Sequence, residues 1–239
     1  MRTAAFVISL SLFAPAAFAA PGDARPPAPA APTAATTPTT PTTPTTPTTP
    51  AVVKPATPAV NLTPILFDET PERCRPIAKR AASTNLIAAL SARISLASCL
   101  ADAKFSELQL IDGQDSITQM DEAAVPSFEM LDEVVAAATD PVTKVMATHA
   151  KAQLLQGMIN RMTQTVASTA DATPEAQALR ETRRAIMMEL LAPWREKTRE
   201  FYAAVDEIAK ANPTIVKNAV AVAAIRDSRE QLQRPVATR

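Results

Sequence analysis

Glycine is almost missing from this 239-residue chain: there are three, and only Gly113 and Gly157 lie beyond residue 22. A glycine-rich loop that cradles phosphates cannot be assembled from them. His149 is the one histidine, so Ser-His-Asp and Cys-His catalysis have no route except through that residue. Trp194 and Tyr202 are also single. Basic and acidic residues number 24 each, which leaves no cationic excess for a nucleic-acid or anionic-membrane surface. No stretch alternates apolar and polar residues as a half-buried strand does.

The residues that carry chemistry elsewhere are poorly placed here. The carboxylates Asp68-Glu69, Asp121-Glu122, Asp132-Glu133 and Asp206-Glu207 are adjacent pairs. Neighbours on a helix diverge by about 100° and do not converge on a substrate. Asp112-Gly113-Gln114-Asp115 lacks the spaced oxygen ligands and distal Glu of a calcium loop. His149 shares a helical stripe with Met146, Met158 and Met162. Soft ligands of that kind hold copper in exported proteins, but methionines at this spacing are ordinarily core filler, with the histidine at the core's edge. The inventory predicts no catalytic, cofactor-binding or metal-binding residue, and a protein that is not an enzyme.

What the chain does contain sorts into three parts. Residues 1–19 read as a secretory signal: Arg2 opens it, residues 6–13 are apolar, and Ala17-Phe18-Ala19 is a cleavage site. Residues 20–61 are almost wholly Pro, Thr and Ala, with Thr-Thr-Pro five times in succession. Proline at that density removes backbone donors and leaves nothing apolar to collapse, so a disordered spacer is expected. Residues 62–239 read as a single α-helical domain, rich in Ala, Leu, Gln, Glu, Lys and Arg. No later stretch is expected to be a transmembrane segment. The localisation these parts imply is secreted or periplasmic.

Within the domain, Thr70-Pro71, Asp140-Pro141, Thr173-Pro174 and Asn212-Pro213 each couple a capping side chain to a proline suited to a helix's first turn. They divide the domain into a short helix ending near residue 82 and longer ones over 84–108, 116–138, 141–167, 173–211 and 213–233. The expected fold is all-α: an antiparallel helical bundle or loose stack of helical hairpins, of about six helices, two of them kinked by Pro126 and Pro193. Residues 173–211 are expected to be the organising helix. Leu179, Ile186, Leu190, Trp194, Phe201, Val205 and Ile208 would form its buried face, with Glu181–Arg184, Glu196–Arg199 and Asp206–Lys210 pairs outside. In 213–233 the inward set would be Val216, Ala219, Val220, Ala223 and Ile225.

Cys74 and Cys99 are the two cysteines, and an exported chain favours a structural disulfide between them. On one continuous helix they would stand about 37 Å apart, against a Cα limit of about 7 Å for a bond. A bond therefore requires the chain to turn back at 83–85. The functional expectation is an exported helical module that interacts with an unidentified envelope or secreted protein or serves as a structural part. The alternatives are a carrier of an apolar ligand between kinked helices and an envelope chaperone.

Overall fold

The computed structural model describes residues 62–111, 113–167 and 173–234. The expected signal and spacer lie outside these residues. All described residues fall within one compact unit, Ala56–Arg239; none belongs to the other unit, Met1–Pro55.

The described residues are mostly helical, with no strand among them. A 3-10 turn, Glu72–Cys74, leads into α1 (Arg75–Ala81), followed by α2 (Leu86–Glu107), α3 (Gln114–Ala137) and α4 (Pro141–Ala167). Then come α5 (Pro174–Leu190), α6 (Ala192–Ala211), a second 3-10 turn (Pro213–Lys217) and α7 (Ala219–Gln233). Short connections between packed neighbours make α1–α2, α2–α3, α3–α4 and α6–α7 hairpins.

Local chemistry sets the boundaries. The Asn85 side chain accepts the Ala88 N–H at 3.1 Å and starts α2 where the chain must turn back. Asp140 and Thr173 do the same for Thr143 N (2.7 Å) and Ala176 N (3.2 Å). Thr70 and Asn212 behave differently from expectation: their side chains bond backward to the carbonyls of Leu66 and Ile208. Gly113 precedes α3 with φ +147°, a conformation that side chains on Cβ disfavour. Pro126 sits inside α3 on its exposed face, and the helix runs through it.

α4 is the organising helix, in place of 173–211. It packs against α2, α3, α5, α6 and α7. Val145, Ala147, Thr148, His149, Ala150, Ala152, Leu155, Met158, Ile159 and Met162 are buried around most of its circumference. Met158 and Met162 join Phe105, Met120, Met187 and Leu191 in the largest core cluster.

The stretch 173–211 is two helices. Pro193 has no N–H to bond Glu189, and the chain turns out of α5 at Leu191 before α6 begins. The break also shifts the buried phase. Met187, Leu191, Thr198, Tyr202 and Val205 are buried, whereas Leu179 and Ile186 are 53% and 54% exposed. Trp194 is only partly buried; Tyr202 is the aromatic sealed in the core. In the last segment the separate turn at 213–217 and the Asn218 cap reset the register. Ile215, Ala221, Ala224, Ile225 and Ser228 turn inward, leaving Val216, Ala219, Val220 and Ala223 outside.

α2 departs from expectation in a further way. It is long and apolar enough to cross a membrane by length and composition, the one such helix among the described residues. In this fold α1, α3 and α4 pack on it and bury Leu90, Leu96, Ala97 and Ala101.

Candidate functional site

The Cys74 and Cys99 sulfurs are 1.98 Å apart and bonded, with a Cα–Cα separation of 5.9 Å. Ser83 and Asn85 make the turn that folds α1 back along α2, and Ala78, Ala81, Ala92 and Leu96 pack round the bridge.

Above this hairpin, residues 62–71 cross α2 and α3 as an arm held by a buried ion pair. Arg93 on α2 is 4% exposed. Its Nη1 donates to Glu133 Oε2 on α3 at 3.0 Å and its Nη2 to the Thr63 carbonyl at 2.5 Å. Thr63 in turn donates its N–H (3.3 Å) and its hydroxyl to the same carboxylate. Burial depresses the Arg93 pKa and the Glu133 charge opposes that shift. Beneath the arm lies an open cleft of ≈ 340 Å³, lined by Ile65, Leu96, Leu100, Pro126 and Met130. The Arg93–Glu133 pair was not expected. Its signal was legible all the same: Arg93 is the only charged residue between Leu86 and Ala101, and a buried charge requires a partner.

A second polar cluster joins α4, α6 and α7. His149, 6% exposed, places Nε2 2.8 Å from Asp227 Oδ2. Its ring centroid is 6.1 Å from that of Tyr202. Burial first, and the Asp227 charge second, push the Tyr202 hydroxyl up to about 12, against the pull of Arg234. No hydroxyl or thiol stands within hydrogen-bonding distance of His149 among the described residues, so the pair ties α4 to α7. Nor do the described residues contain a group of three His, Cys, Asp or Glu able to hold a metal.

The adjacent carboxylates diverge. Asp132 meets Lys151 on α4, while Glu133 serves Arg93. Asp206 is bound by Lys210 (2.9 Å) and by Arg229 across to α7 (2.6 Å), and these hydrogen bonds lower its pKa. Of the three ion pairs expected on 173–211, the described contacts close only Asp206–Lys210.

That leaves the outer face of α5. Leu179, Ile186 and Leu190 lie within about 40° of one another round the helix, and all three are exposed. Chains with a known role offer no shortcut. No family model, curated protein or solved structure matches this one. The candidate site is therefore the surface whose exposure most needs a physical reason, and an aligned apolar seam on a helix is that surface. By position, Glu175 and Glu189 flank the seam on one side and Arg183 on the other. Charges bordering an apolar stripe are the layout of a helix that receives another helix.

Proposed function

We propose that this chain is an exported, non-enzymatic helical module of the cell envelope that works by binding another protein, with the outer face of α5 as its contact. The observation that carries the reading is the Leu179–Ile186–Leu190 seam: three large side chains in line, each at least a third exposed, on a helix that buries Met187. Burying such a seam against a partner helix removes apolar surface from water at about 25 cal/mol per Å². The Cys74–Cys99 bridge supports an oxidising compartment, and the sequence of residues 1–19 supports export. The carrier reading has less behind it, because the clefts beneath the arm and beside α5 are open to solvent.

The test places a photo-crosslinking residue at Ile186, and as a control at exposed Val125 on α3, in the protein produced in its own cells. One discrete adduct is expected from position 186 and none from 125. Equal labelling at both, or none at either, removes the proposal. Amino-terminal sequencing of the same material should start at Ala20; a start at Met1 would exclude signal cleavage.

A further inference from the structure

The face of α5 opposite the apolar seam, about 140–180° round the helix, carries Arg184 and Met188. These two residues line an open cleft of ≈ 490 Å³ between α4, the α5–α6 break and the end of α7. Arg195 and Arg199, one turn apart on α6, line it too, as does Arg234 just past α7. Only one carboxylate, Glu196, shares the lining with these four arginines. In a chain with balanced charge this is a local cationic excess.

The arginines are also unneutralised. On α4 and α7 other arginines do close on carboxylates: Arg161 meets Asp102 at 3.2 Å, Arg226 meets Glu230 at 3.8 Å, and Arg229 meets Asp206 at 2.6 Å. Among the described residues none of Arg184, Arg195, Arg199 and Arg234 has a carboxylate within 4.0 Å. Glu181 and Glu196, each three residues before an arginine of the cleft, do not reach it. Of the acids near this end of α7, Asp227 is engaged by His149 and Glu230 faces Arg226. Guanidinium stays charged at every physiological pH, so four of them lining one concavity make it cationic. The same cleft has an apolar wall in Ile159 and Met188. Tyr202, 3% exposed, also borders the cleft.

We propose that this cleft binds a small molecule carrying two or more anionic charges, as phosphate or carboxylate groups, on or beside an apolar body. Guanidinium forks match both groups in bidentate geometry, and the volume is that of a small-molecule site. The proposal is independent of the α5 contact: Ile186→Glu changes the seam and leaves the cleft lining intact, so either reading can fail alone.

Isothermal titration of the full chain with inorganic tripolyphosphate and with citrate, at constant ionic strength, tests it. Saturable one-site binding of at least one probe is expected. Arg195→Gln/Arg199→Gln should weaken it roughly tenfold to a hundredfold. Lys79→Gln/Arg80→Gln on α1, which removes the same charge from an exposed surface, should leave it unchanged. Arg234→Gln, outside every helix, should weaken it several-fold and keeps the test decisive if the double variant fails to fold. Absence of binding by both probes, or equal loss in the α1 variant, overturns the proposal. So does flotation with phosphatidylglycerol vesicles when neither soluble anion binds, since that assigns the arginines to a membrane surface.

Discussion

Removing the Glu133 side chain tests the reasoning about the buried ion pair most directly. In Glu133→Ala the carboxylate that accepts from Arg93 Nη1, Thr63 N–H and the Thr63 hydroxyl is lost together. Arg93 stays 95% shielded at its side chain, with the Thr63 carbonyl as its remaining partner. Breaking a fully buried pair costs about 3–5 kcal/mol. Glu133 itself is 30% exposed at its side chain, so water reaches part of the vacated site and about 2–3 kcal/mol is the better expectation here. The companion variant Arg93→Met/Glu133→Leu replaces both charges with apolar groups and should recover most of that loss. Urea unfolding at pH 7 of wild type, Arg93→Met, Glu133→Leu and the double of these two supplies a complete cycle, with a coupling of about 1–3 kcal/mol expected. Limited proteolysis between residues 62 and 71 should quicken in the single variants, because the arm loses its anchor. A loss under about 0.5 kcal/mol in Glu133→Ala, or single losses that simply add, would refute a coupled buried pair.

Three further outcomes follow from the same structure. Cys74→Ala/Cys99→Ala opens a loop of 25 residues and should lower stability by roughly 3 kcal/mol in the chain-entropy model; an unchanged urea midpoint would contradict it. Tyr202→Ala should lose roughly 3–5 kcal/mol and Trp194→Ala less, because the phenol is sealed in the core and the indole is not; the reverse order in urea titrations would contradict the packing. The Asp206 pKa is depressed by hydrogen bonds from Lys210 and Arg229, so its contribution is present above the ordinary carboxylate pKa of about 4 and is lost as pH falls through the lower folded value. Wild type should out-melt Asp206→Asn at pH 7, and the gap should close below about pH 4; a constant gap down to strongly acidic pH would exclude the linkage.

The helical class, most boundaries and the turn at 83–85 were decided locally, by chemistry a sequence displays directly. Asn85, Asp140 and Thr173 bond their own first turns, and Pro141, Pro174 and Pro193 stand in the first turns of α4, α5 and α6. The geometric limit on a cysteine bridge likewise needs only chain dimensions. Which face of each helix is buried was decided elsewhere. On 173–211 the apolar stripe predicts Leu179 and Ile186 inside, yet the break at Leu191 and the docking of α6 on α4 bury Met187 and Leu191 instead. The separate turn at 213–217 and the one-residue stop at Asn218 similarly leave Val216 and Val220 outside. Burial depends on neighbours far apart in sequence, and a single residue outside helical geometry rotates everything after it by about 100°. For the same reason only the tertiary structure brings Arg93 to Glu133 and Thr63, His149 to Asp227, and four separate arginines to one cleft. Each arrangement joins side chains from different elements, and no spacing along one helix encodes it.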